Sequence, residues 1–338
     1  EVSCQEAKNR NRELGGFMEN GTNIWQKFAS FQTTSSTQKY LKNIYLKLQI
    51  VDSEMKSFDN CYPFIYYIEH GRNYYQLAEK APVALKPVLL FYGMIQLIKA
   101  CVLTVDPNYP KNTTVLAHGV STRKRKKRNY AFLQDEVKLQ KKGLLSHLLA
   151  TIFKLEHPAF DRLKMNHLFA RIPELNETFQ RLYRKVPMLK VDLTNEGIAI
   201  PIIILDYLKM TEQRFKDFLT NRLCAKRHSF HSNDDTIFVS FQQPLTSWDC
   251  LPFAYHRQGD FYLPVKKELY DPIHEVVVHY LLLYNLSMVS RYETEWWNDL
   301  LHTFANDDFP FIQQFLALTE KKIPHLLYTY LDQKRASQ

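Results

Sequence analysis

At 338 residues and 45% apolar content, the chain can build a sizeable core, which excludes a disordered or low-complexity protein. Nine glycines against 14% aromatics leave little room for phosphate loops, bulged barrels or tight-hairpin repeats, and favour helices around large aromatic side chains. The net charge of +9 is concentrated, because between Ser121 and Lys142 nine cations face only two carboxylates.

The first periodic stretch, 23–47, repeats Trp25, Phe28, Tyr40, Leu41 and Ile44 at helical spacing and predicts one or two amphipathic helices. A tyrosine-rich stretch covers 62–75. Pro82 and Pro87 then bracket the start of a strongly apolar helix over 87–103, ended by Asp106-Pro107 and Pro110. The basic segment follows and reads as a loop. Residues 131–140 fit a strand or a helix equally, and Gly143 precedes a helix over 144–153. Helical patterns continue over 161–169 and 175–184.

The character changes at 188–204, where MLKVDL and IAIPIII flank a Thr-Asn-Glu-Gly turn and predict a hairpin. A helix is expected from Thr211 to about Leu223. Strands are expected over 236–241 and on both sides of Arg257-Gln258-Gly259-Asp260. The last third returns to helix, over 274–302 and 311–331. The predicted fold is therefore α+β, mainly α: a helical core with a small antiparallel β-containing insertion over 188–265, in one compact domain spanning 1–338. The 87–103 and 276–297 helices are the most apolar and are expected to pack together. No run reaches the eighteen or so consecutive apolar residues of a bilayer span, so no membrane is expected.

The odd number of scattered cysteines (Cys4, Cys61, Cys101, Cys224 and Cys250), without a CxxC pair, suggests reduced thiols and an intracellular setting. The N-terminal EVSCQEAKNRNREL is polar and carries no apolar signal core.

Four segments carry a family resemblance: LKPVLLFYGMIQLIKA (85–100), LAHGVSTRKRKK (116–127), DEVKLQKKGL (135–144) and HYLLLYNLSMVSRYETEWWNDLL (279–301). In this order they resemble the YaaC-like family of bacterial proteins. The resemblance implies a bacterial, cytoplasmic protein and supplies no catalytic residues. More faintly, LLFYGMIQLIKACVL with a nearby His-Gly-Val resembles the first long helix of HEPN domains, many of which bind or cut RNA through Arg-x4–6-His. Two such spacings occur, Arg162 to His167 and Arg222 to His228, about the number chance gives in this composition.

The sharpest local feature is Arg123, Lys124, Arg125, Lys126, Lys127 and Arg128 in succession. Six adjacent cations repel one another, so they suit either a polyanion, with Tyr130 and Phe132 beyond them to stack on bases, or a solvated loop. On the 279–297 helix, Tyr284, Ser287, Ser290, Arg291, Thr294 and Glu295 fall in one sector. Arg291 there either holds a phosphate or carboxylate or, as the spacing favours, pairs with Glu295 in a buried network. Glu136 and Lys138 match the E-x-K core of metal-dependent nucleases, a pattern that recurs elsewhere in the chain. Cys224, His228 and His231 match no common zinc spacing, so no metal and no cofactor is expected. GxSxG, Walker and GxGxxG motifs are absent.

Three functions of different classes are compatible with these residues. The leading one is a non-enzymatic binding or regulatory protein engaging nucleic acid or another polyphosphate through the basic loop. The second is a nuclease, HEPN-like or of E-x-K type. The third is a regulator whose basic loop docks on an acidic protein partner.

Overall fold

A computed structural model describes residues 23–122, 130–195, 197–223, 228–303 and 306–336. Helix accounts for 59% and strand for 13%, in two small antiparallel sheets, so the fold is α+β and mainly α.

The chain opens with α1 (Ile24–Phe28), α2 (Thr34–Lys47), α3 (Ser53–Lys80) and α4 (Lys86–Leu103). Strands β1 (Val120–Thr122) and β2 (Glu136–Leu139) precede α5 (Leu144–Thr151), β3 (Arg162–Lys164) and α6 (Met165–Phe169). After α7 (Asn176–Tyr183) come β4 (Met188–Leu193), β5 (Gly197–Pro201), α8 (Ile204–Leu208) and α9 (Glu212–Leu223). Four strands follow, β6 (His228–Ser232), β7 (Thr236–Phe241), β8 (Ala254–Tyr255) and β9 (Phe261–Pro264). Helices α10 (Glu275–Tyr292), α11 (Thr294–Thr303) and α12 (Asp308–Ala336) complete the described chain.

Two compact units are built from these elements, His167–Glu275 on the one hand and Thr22–Asn166 with Val276–Gln338 on the other. In the second, helical unit, α3 and α4 approach closely because each carries a glycine at the crossing. A Cβ on Gly93 would meet Tyr75 Cδ2 at 2.9 Å, and one on Gly71 would meet Leu97 Cδ2 at 2.8 Å. The two most apolar helices do pack together, with the Phe91 ring edge-on to Tyr280 at 5.3 Å and to Tyr284 at 5.7 Å.

Helix α12 is tied to the same core by buried and half-buried polar contacts. Tyr40 Oη donates to Leu331 O at 2.8 Å, His279 Nδ1 meets Thr319 Oγ1 at 2.7 Å, and Lys86 Nζ pairs with Glu320 at 2.6 Å. Helix α4 is long and apolar enough to cross a membrane. Yet 67% of it is buried within this chain, so its apolar surface is largely taken up by core packing.

The other unit is organised on a six-stranded sheet of order β6-β7-β5-β4-β9-β8. The predicted hairpin is its centre, with Asp192 opposite Ala199 and Leu193 opposite Ile198. Gly197, at φ +156°, sits where a Cβ would collide with Val239 O, so only glycine fits between β5 and β7. Val191, Ile198, Ile200 and Phe261 from the strands pack with Phe215 and Leu219 of α9 in one buried core. Arg171 is buried too, and it donates to the carbonyls of Leu269, Asp271 and Glu268 at 2.8–3.1 Å.

Local readings are corrected or settled at four places. The helical pattern over 161–169 is half strand, because Arg162–Lys164 pairs as an edge with β2 and only Met165–Phe169 is helical. Residues 131–140, undecided by sequence, form a 3-10 turn at Phe132–Gln134 and then β2. His228 and His231 lie on strand β6. The 274–302 helix is interrupted, since Glu293 is non-helical between α10 and α11.

Candidate functional site

The six-cation run, Arg123 through Arg128, lies outside the described residues, but its attachment points do not. It leaves β1 at Thr122 and re-enters the described chain at Tyr130. The sheet that bears it has the order β1-β2-β3, with Ser121 opposite Lys138 and Lys138 opposite Arg162. Directly opposed residues share a face and alternate residues repeat it, so Ser121, Glu136, Lys138, Arg162 and Lys164 form one face. Val120, Val137 and Leu163 form the other and are buried. The alternation of EVKL and RLK thus turns the apolar residues inward and sets three cations against one carboxylate outside.

Within that face, Arg162 Nη1 donates to Glu136 Oε1 at 2.7 Å. Lys138 and Lys164 are exposed, as are Lys141 and Lys142 just beyond β2. Gly119 and Gly143 pass in backbone contact at the foot of this sheet, and both hold positive φ, at +76° and +131°. Their lack of Cβ atoms lets the chain entering β1 run against the chain leaving β2.

The return of the basic connection is fixed by a set of buried and half-buried hydrogen bonds. Tyr130 Oη donates to Asp135 Oδ2 at 2.6 Å, and Asn285 Nδ2 donates to the same oxygen at 3.1 Å. Asp135 Oδ1 accepts from Glu136 N at 2.8 Å. Trp296 meets the Tyr130 ring edge-on at 4.7 Å and donates Nε1 to Tyr130 O at 3.2 Å. Asp308 accepts from the amides of Phe132 at 2.6 Å and Leu133 at 3.0 Å. Burial raises the Asp308 carboxyl above its ordinary range, and the two amides act against that rise.

These contacts revise several expected roles. Phe132 is fully buried, and Tyr130 is held by Asp135 and Trp296, so this pair anchors the connection and does not offer base-stacking platforms. Asp135 already accepts three hydrogen bonds, and Glu136 is paired with Arg162, so the E-x-K pattern lies on one strand face with its carboxylates engaged. Asp106, a buried carboxylate of the same unit, lies 3.1 Å from His147 Nε2. Arg162 belongs to the helical unit, whereas His167, exposed on α6, belongs to the other. His231 stacks on Phe238 at 4.5 Å, and among the described residues no group of three or more His, Cys, Asp or Glu is placed to hold a metal.

Arg291 is the second site residue, and its surroundings also differ from the spacing argument. Glu293 interrupts the helix between Arg291 and Glu295, and among the described residues no ion pair joins the two. The guanidinium instead donates Nε to Ser287 O at 2.9 Å, approaches Met288 Sδ at 3.3 Å and lies over the Tyr292 ring at 5.2 Å. No carboxylate is paired with it among the described residues.

A family model described as YaaC-like protein matches residues 29–331. No curated protein and no solved structure matches the chain. The match covers nearly the whole chain, which therefore belongs to the YaaC-like protein family.

Proposed function

We propose that this member of the YaaC-like family is a nucleic-acid-binding protein whose contact surface is the Arg123–Arg128 run together with the outward face of β1–β3. The observation that supports this reading is the cross-strand alignment of Lys138 and Arg162, with Lys164 alongside, on a sheet whose first strand leads directly into the run. Cations carried by strands keep fixed spacings, while the adjoining run adds charge density, and together they suit a phosphate backbone. Binding is favoured over hydrolysis because Glu136 and Asp135 are both engaged within the chain. The setting proposed is the bacterial cytoplasm, consistent with Cys61, Cys101 and Cys250 being buried and outside any disulfide.

Fluorescence anisotropy with a labelled single-stranded RNA and its DNA counterpart, at low and moderate salt, tests the reading. Wild type is expected to bind both and to weaken steeply with salt, and a variant with the six cations changed to glutamine and serine is expected to lose binding. Absence of binding by wild type at low salt would overturn the reading. Capture of an acidic protein in its place would move the run to a protein-docking role.

A further inference from the structure

A different part of the helical unit gathers two further cations, Lys99 and Arg291, and a histidine, His118. Tyr92 and Lys99 are two turns apart on one stripe of α4, and Tyr67 and Tyr74 are two turns apart on α3. The stripes face each other in opposite directions: the Tyr74 and Tyr92 rings stack at 6.0 Å, and Lys99 Nζ lies 5.5 Å from the Tyr67 ring centroid. His118 closes the group on a third side, with ring contacts to Phe91 at 5.1 Å, Tyr284 at 5.8 Å and Tyr92 at 6.2 Å. Its backbone is held there because Tyr280 Oη donates to His118 O at 2.8 Å.

Arg291 reaches the same group along α10, two turns beyond Tyr284, and both Arg291 and Lys99 lie within electrostatic range of His118. Lys99, His118 and Arg291 are all half-buried. No carboxylate pairs with any of the three among the described residues. Two cations held near a histidine in a partly desolvated aromatic setting repel one another, and an anion relieves that repulsion. Nearby, the buried Tyr109 hydroxyl has no hydrogen-bond partner in the described structure and interacts electrostatically with Tyr67.

We propose that Lys99, His118 and Arg291 form a second site, separate from the basic sheet face, for a small phosphate monoester whose planar group lies against the flanking tyrosines. Lys99 and Arg291 neutralise the phosphate, His118 donates a hydrogen bond, and Tyr67, Tyr92 and Tyr284 supply the aromatic walls.

Isothermal titration of the full chain with adenosine monophosphate, and separately with inorganic phosphate, tests the site. Wild type is expected to bind the nucleotide saturably at one equivalent and inorganic phosphate more weakly. Lys99→Met, which keeps an unbranched apolar stem beside Tyr67, and Arg291→Gln are each expected to weaken nucleotide binding at least tenfold. The variant lacking the Arg123–Arg128 charges is expected to bind it like wild type, which keeps this site independent of the nucleic-acid surface. Failure of wild type to bind either probe saturably would overturn the proposal, whatever the variants do. So would unchanged affinity in folded Lys99→Met and Arg291→Gln, or equal loss in the run variant.

Discussion

The two sheets of this protein handle charge in opposite ways. On the six-stranded sheet and its covering helix, cations meet acids from the same unit: Lys190 pairs with Asp260 at 3.0 Å, and Lys216 pairs with Glu212 at 2.6 Å. On the three-stranded sheet, Glu136 is the single carboxylate of the outward face, it is taken by Arg162, and Lys138 and Lys164 make no ion pair among the described residues. The strands of both sheets are short and antiparallel, so geometry alone does not account for the difference. What differs is that the smaller sheet continues into six consecutive cations. Charge neutralised within the chain contributes to folding, whereas charge left without internal partners is available to an external polyanion.

Removing the run is the strongest way to break this comparison. Changing Arg123 through Arg128 to neutral residues is expected to lower single-stranded RNA affinity at low salt by about 100-fold or more. The melting temperature is expected to stay the same. Anisotropy and thermal melts on one preparation check both halves.

The next effect falls on the frame. Asp308→Ala leaves the buried Phe132 and Leu133 amides without their acceptor, and is expected to cost about 2–3 kcal/mol in urea unfolding. Lys138→Gln with Lys164→Gln is expected to weaken RNA binding about five- to tenfold while leaving stability unchanged, because each exposed cation contributes a single phosphate contact.

A smaller effect tests the separate cation cluster. Burial, followed by the charges of Arg291 and Lys99, holds His118 below its ordinary value of 6.5. The groups that face it are Phe91, Tyr92 and Lys99 from α4 and Tyr284 and Arg291 from α10, none of them acidic. The unfolded chain is therefore protonated at this residue before the folded one. Stability declines as pH falls below about 6.5 and levels off below the folded pKa. His118→Gln is expected to flatten this decline in melts between pH 7.5 and 5. The smallest effect is assigned to the other sheet: Lys190→Gln removes a half-exposed pair and is expected to cost less than about 1 kcal/mol, with RNA affinity unchanged.

Much of the fold was legible because its signals are local. The apolar stripe of 87–103, the Thr-Asn-Glu-Gly turn of the hairpin and the Pro and Gly boundaries each act within a few residues. Strands β3 and β6 were not, since RLK and HSFHS are too short and too polar to show alternation and exist only through their partners. The break at Glu293 was also hidden, because Tyr292-Glu293-Thr294 contains neither glycine nor proline, and a stripe projected through it wrongly joined Arg291 to Glu295. For the candidate surface, composition identified the run, but the shared face of Lys138 and Arg162 depends on β-pairing register. The Lys99–His118–Arg291 cluster joins three distant segments, and no spacing rule links them.

The central claim is that location, and not total charge, determines polyanion binding. Its most direct test is the slope of log affinity against log salt for two variants of equal net charge, Lys138→Gln/Lys164→Gln and Lys190→Gln/Lys216→Gln, each beside wild type. The account predicts that the first variant loses about 0.7 of slope per removed phosphate contact and that the second keeps the wild-type slope. Equal losses in both would contradict it and reduce the interaction to net charge alone.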